Sequence, residues 1–288
     1  MTRSINVRGT SPQIFETSVS KNFPIGTRMH TSNGRVFRYA RATATALSVA
    51  RVIQSPSQSP LLRSVPIDAN VIVNTVNYVD LSLKLTGTAT FTLDEFEDGL
   101  LLINDGNGEG YVYGVVSSSA LTPNGSTMRV YLDSKVQVSL LASSTRVSLL
   151  KNRFRDVELA KSATYRTEIV GATPVAVPAS YYFWLATDGP CAVLQQDTLV
   201  RGLPVTASEI TSGAVALSRT VIPTGTEYRN VPHSAEGYAI IQTELHSTDK
   251  ESLTTVTGLG VVPQVSIGTV LEPTQHGQHC MIQFGLDN

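Results

Sequence analysis

The side chains best suited to metal binding or nucleophilic chemistry are five histidines, His30, His233, His246, His276 and His279, and two cysteines, Cys191 and Cys280. Three of them fall within His276-Gly277-Gln278-His279-Cys280. A zinc ion held tetrahedrally needs four ligands, and the sequence supplies no second cluster to complete the set. Cys280 also alternates into the apolar run Cys280-Met281-Ile282-Gln283-Phe284, which places it in a core. The segment is therefore read as a turn entering a strand. Nucleophilic catalysis would require a Ser or Cys on a special turn beside a His and a carboxylate, and no Gly-x-Ser-x-Gly elbow occurs. Asp94, Glu95, Glu97 and Asp98 cluster, but as a solvated turn between strands, with no pair set apart as acid and base. No catalytic residue, cofactor or metal ligand is expected.

Gly106-Asn107-Gly108-Glu109-Gly110 has the composition of a phosphate loop. Such loops set their glycines before a helix whose free N–H groups hold the anion. Here a β pattern, Tyr111-Val112-Tyr113, follows instead. Asp105, Asn107 and Glu109 are similar to the start of a calcium loop, but Val116 falls where that loop needs its bidentate carboxylate. A glycine-rich hairpin turn is the preferred reading. Arg35, Phe37, Arg38, Tyr39 and Arg41 form the one basic, aromatic segment. They suit stacking on nucleic acid, or docking on a neighbouring chain, since Arg and aromatic residues are favoured in interface cores. With 22 basic against 23 acidic residues, a protein partner is preferred and nucleic acid is not expected. These five residues are the expected partner interface. Tyr181, Tyr182, Phe183 and Trp184 form a second aromatic group, suited to stacking on sugar or, more simply, to core packing.

The elements that position these residues read as β. Only 16% of residues are charged, Ser and Thr number 61, and apolar residues reach 41%. This composition suits strands with hydroxyl-bearing outer faces better than helices laced with Lys–Glu pairs. Gln13 to Ser20 alternates, and Asn33-Gly34 ahead of the alternating run 35–42 predicts a hairpin over 25–42 with a type I′ turn. Ala44, Leu47, Ala50 and Arg51 have helical spacing, opposed by Val49 and Val52, and predict a helix over 43–53. Residues 54–60 hold two prolines and no apolar side chain, and read as a loop. Strands are predicted at 70–74, 79–86, 100–103, 111–116 and 128–132. After the charged connector 151–161 they resume at 182–185, 191–194, 214–217, 238–241, 265–268 and 280–284. The fold class expected is all-β: small β-barrel or sandwich domains with an extended N-terminal arm or hairpin. The expected division is 1–58 for the arm and hairpin, 59–165 for a middle β domain and 166–288 for a C-terminal β-barrel or sandwich. Two buried thiols are expected, with a single disulfide as the alternative. No apolar run reaches the ~18 residues of a spanning helix, and Met1 to Arg8 lacks the apolar core of a signal peptide, so synthesis in a cytoplasm is expected.

Several segments, taken in order, resemble a known group. Ile25-Gly26-Thr27-Arg28 and Asn33 to Ala42 resemble the N-terminal signature of virion structural proteins from tailed bacteriophages. The resemblance continues at 96–99, 102–111, 182–194, 212–215 and 267–271, and the last third is similar to the small barrels of capsid decoration proteins. It implies a non-enzymatic cement protein, made in the host cytoplasm. Such a protein sits on the outer capsid surface against the major capsid protein as a homo-oligomer, a trimer by preference, with no membrane contact. The N-terminal segment would lie on the shell, so that removing 1–42 abolishes attachment while the C-terminal domain still folds. Residues 222–260 exceed what a minimal barrel needs and read as an insertion. The alternative roles are another virion component (collar, tail tube, head fibre or shell) and, further off, a carbohydrate-binding β-module.

Overall fold

The computed structural model describes residues 6–83, 90–122, 127–161, 167–196, 198–218, 266–275 and 277–286. The last three residues of the strand predicted at 79–86, the strand at 238–241, the insertion at 222–260 and His233, His246 and His276 lie outside the described residues. Apart from Ser218, the described residues belong to one compact unit, Met1–Leu217 with Ser266–Asn288.

The chain is all-β. Strands β1 (Asn6–Gly9), β2 (Thr17–Ser18), β3 (Arg28–Thr31), β4 (Val36–Arg41) and β5 (Val52–Gln54) lead the sequence. Six more follow: β6 (Val65–Pro66), β7 (Tyr78–Ser82), β8 (Leu100–Asp105), β9 (Val112–Ser118), β10 (Thr127–Leu132) and β11 (Arg146–Leu150). β12 (Glu158–Leu159) and β13 (Ile169–Ala172) precede the fourteen-residue strand β14 (Tyr182–Gln195). β15 (Pro204–Ala207), β16 (Ala214–Leu217), β17 (Gly268–Glu272) and β18 (His279–Gly285) complete the set.

Strands β6 to β11 form one sheet in the order β6-β11-β8-β9-β10-β7. The bridge between Ile67 and Leu81 brings its two ends together, so the sheet closes into a small barrel. Alternation fills the interior: Leu81, Leu101, Ile103, Val115, Met128 and Leu132 are all buried in one cluster. The other twelve strands form the second sheet. Within it β14, β16, β15, β17 and β18 pair in a ring, which makes a second small barrel around Val193, Val205, Val215, Ile282 and Phe284.

Strand β14 belongs to both the ring and the open part of its sheet. Residues 182–188 pair with β4, and residues 188–194 pair with β18. The change of partner falls at Gly189-Pro190, where Gly189 takes φ +91 and an added Cβ would come within 3.1 Å of Arg35 Cα. The two strands expected at 182–185 and 191–194 are thus one strand bent at a corner, and glycine permits the left-handed backbone there.

The predicted hairpin over 25–42 is present as β3 and β4, with Arg28 opposite Arg38 and His30 opposite Val36. Its turn is not type I′. Only Gly34 is left-handed, at φ +80, and the Thr31 N–H donates to the Arg35 carbonyl, so three residues close the turn. The hairpin is not an arm. β4 lies between β3 and β14, and strands of the first and third expected domains share one sheet. Both faces of β4 are covered: Phe37 and Tyr39 enter one core, Ala40 enters another with Ile53, Val170, Phe183 and Leu185.

Two other expectations are corrected. Residues 43–51 are not helical. Leu47, Ala50 and Val52 donate their N–H groups to Val177, Thr173 and Gly213 carbonyls, and these long-range bonds outweigh a weak local helix preference. The stretch from Gln54 is not wholly a solvated loop either. Gln54 and Ser55 are buried, with Gln54 paired to Glu158 and the Ser55 N–H donating to the Glu168 carbonyl.

Phe37 is fully buried, so Phe37→Ala is expected to cost about 3–5 kcal/mol in chemical denaturation. Deletion of residues 1–42 removes the pairing partner of 182–188, and is expected to abolish the cooperative thermal transition by circular dichroism.

Candidate functional site

The five residues of the predicted interface are held inside the chain. Phe37 and Tyr39 are core residues: Tyr39 meets Trp184 and Phe23 edge-on at 5.0 and 5.3 Å and stacks on Tyr182 at 5.7 Å. No partner chain can reach these two while the sheet is intact, and this part of the interface reading is corrected. β4 is covered on both faces. The three arginines are half-buried and engaged. The Arg35 guanidinium lies 4.9 Å from the Phe37 ring centroid, Arg38 donates to the Gly26 carbonyl, and Arg41 pairs with Asp156 at 2.6 Å. Phe183 and Trp184 are likewise buried, on opposite faces of β14, so the second aromatic group does not form a sugar-stacking surface.

The glycine-rich segment is the hairpin turn between β8 and β9. Gly106, Gly108 and Gly110 have φ between +78 and +87, and the Gly110 N–H donates to the Ile103 carbonyl. Cys191 and Cys280 are free and buried. Burial pushes both thiols up to about 11, with Arg35 only partly offsetting the effect at Cys191, so both stay protonated and unreactive near neutral pH. His279 begins β18, with Cys280 turned into the core. Among the described residues no group of three or more His, Cys, Asp or Glu side chains could hold a metal ion. No described helix is long and apolar enough to cross a membrane.

The acidic cluster is not a freely solvated turn. Glu95, Glu97 and Asp98 meet basic residues from outside the six-stranded barrel. Lys21 reaches Glu97 and Asp98 at 2.7 and 2.6 Å, and Lys151 reaches Glu95 and Asp156 at 3.0 and 3.3 Å. The Ile25 N–H and the Asn152 amide also donate to Asp98. This ionic seam ties the β7–β8 connection to the residues flanking β3 and β12. Burial raises the Glu95 carboxyl, but bonds from the Thr92 N–H and Lys151 outweigh it and hold the carboxyl below its ordinary value. Burial lowers Lys21, and Asp98 and Glu97 outweigh that and raise it.

One surface was not anticipated. On the outside of the six-stranded barrel Leu100, Val112, Val116 and Tyr131 are 48%, 54%, 43% and 38% exposed. Leu102 pairs directly with Val112, and Tyr131 lies opposite Ser117 beside Val116, so these side chains form one stripe across β8, β9 and β10. At its end the Arg129 guanidinium sits 4.1 Å from the Tyr78 ring centroid and makes two 2.7 Å bonds to Asp80. The sequence signal was the unbroken apolar run Leu100-Leu101-Leu102-Ile103, which leaves no polar face on that strand. Comparison with family models, with curated proteins and with solved structures gives no match.

The seam sets a pH window for stability. A depressed carboxyl stabilises above its unfolded value, near 4.5, and that contribution is lost as pH falls through the folded value. A raised lysine stabilises below its unfolded value, near 10.5, and loses this as pH rises through the folded value. Lys151→Met is expected to cost about 1–2 kcal/mol at neutral pH and to flatten the acid limb of a plot of denaturation midpoint against pH.

Proposed function

We propose that this chain is a structural protein of a tailed-phage virion, of the capsid decoration type, which binds the outside of the shell and reinforces contacts between capsomers. The observation that carries the reading is the apolar stripe on the outside of a barrel whose interior is already filled. A solvated barrel places polar side chains outside, and the largest contiguous apolar patch on a protein surface is often functional. The resemblance of residues 25–28, 33–42, 96–99, 102–111 and 182–194 to virion proteins points the same way, and in the structure these segments serve as strands and turns of the framework. Low charge suits a surface much of which is covered, because charged side chains are costly to desolvate at an interface core.

The test is quantitative mass spectrometry and cryo-EM of purified virions from the phage that encodes the chain. The expected result is hundreds of copies per particle, located on the outer shell. A dozen or fewer copies would shift the role to a collar or fibre, and absence from the particle would overturn the reading.

A further inference from the structure

The stripe has a feature that chooses among partners. Gly114 lies opposite Leu100 in the middle of the outward face. A Cβ added to Gly114 would come within 2.6 Å of Asp133 Oδ2 and 3.4 Å of Oδ1, so the Asp133 carboxylate rests on the bare glycine backbone. Asp133 is exposed and makes no side-chain hydrogen bond or ion pair among the described residues. Asp80, by contrast, has its charge matched by Arg129. The face therefore offers apolar side chains around one uncommitted anion, with a missing side chain as its seat.

We propose that this face docks on a protein surface that presents an apolar segment bearing one Lys or Arg, and that the cation pairs with Asp133. The proposal rests on the decoration reading and names the face and the chemistry of that contact. Two arguments select this occupant over a second copy of the chain. The four exposed side chains amount to roughly 300 Å², within the range of the largest apolar patch on a monomer and well below the ~800 Å² per partner of a standard stable complex. A two-fold pairing of the same face would also bring two Asp133 carboxylates into one apolar patch, where like charges repel. A shell that repeats its binding surface meets the area limit differently, because many weak contacts act together. A cation on the partner gains most where Asp133 sits, amid apolar side chains that exclude water.

The experiment edits this gene in the phage genome and counts copies per purified particle by mass spectrometry. Val112→Asp and Asp133→Lys are each expected to lower occupancy about tenfold or more, the scale of a lost central contact. Asp133→Asn, which keeps shape and removes charge, is expected to lower it as well. Ile210→Ser, at an exposed apolar residue elsewhere, is expected to leave occupancy unchanged. Thermal melting of each purified variant close to that of the wild type shows that folding is retained. Should Val112→Asp unfold the chain, the Asp133 variants on the exposed surface carry the test. Normal occupancy of the folded variants on particles that carry the wild-type chain overturns the docking face and leaves the decoration reading standing. Loss with Val112→Asp but not with Asp133→Asn overturns the partner cation. Absence of the wild-type chain from particles overturns the decoration reading itself.

Discussion

Strand β14 can pair fully only if it turns a corner, and most of the twelve-stranded sheet follows from that. Its first half has apolar side chains on both faces, Phe183 and Leu185 toward one core and Trp184 and Ala186 toward another. Such a strand is stable only in the middle of a sheet with material packed on both sides. β4 pairs with it on one side, while β5 and β13 cover the core around Phe183. Its second half needs only one covered face, and there it curls into the ring with β18, β17, β15 and β16. Gly189-Pro190 separates the two regimes. Proline donates no hydrogen bond, and glycine accepts the backbone angle that no β-branched residue would tolerate.

The six-stranded barrel stands on a different footing. It has its own core, and charge joins it to the rest at the seam. Lys21, Arg41, Lys151 and Arg155 face Glu95, Glu97, Asp98 and Asp156 there, so the contact is close to neutral as a whole. The Asp98 and Arg155 side chains are buried and the other six are partly exposed. Desolvation offsets much of the attraction at the first two and solvent screens the rest, so the pairs fix geometry more than they add stability. A charge-matched seam orients the barrel more than it glues it. The exterior stripe is thereby presented in a defined direction relative to β14.

Much of this organisation was legible in the sequence, because it depends on local pattern. The alternation at 79–83 and 128–132, the turn at Asn33-Gly34 and the glycine-rich hairpin each carry a short-range signal, and each falls on an element or turn of the structure. What local pattern cannot carry is pairing between distant strands. Arg35 to Arg41 looked like a surface for another molecule because its partner, Tyr182 to Asp188, lies far along the chain. The same distance hid the roles of Leu47, Ala50 and Val52, whose backbone bonds go to remote segments rather than along a helix. Asp133 was equally invisible, since its position depends on the register that sets it over Gly114.

The long-range pairing of β4 also governs how the chain reaches its folded state. A ribosome delivers β3 and β4 first and the whole six-stranded barrel next, and Tyr182 to Asp188 emerge only afterwards. The barrel's strands all precede β14, with hairpins at β8–β9 and β9–β10 and longer-range pairings of β7 with β10 and of β11 with β6 and β8, so it can close while synthesis continues. Until β14 arrives, the hairpin carries an unpaired apolar edge, the kind of template on which nascent chains misassemble. The arginines at 35, 38 and 41 lie along that edge, and charges there discourage strangers from pairing. Side chains that settle against Phe37, Phe154 and Tyr182 in the folded chain are, before β14 emerges, charges beside an unpaired strand.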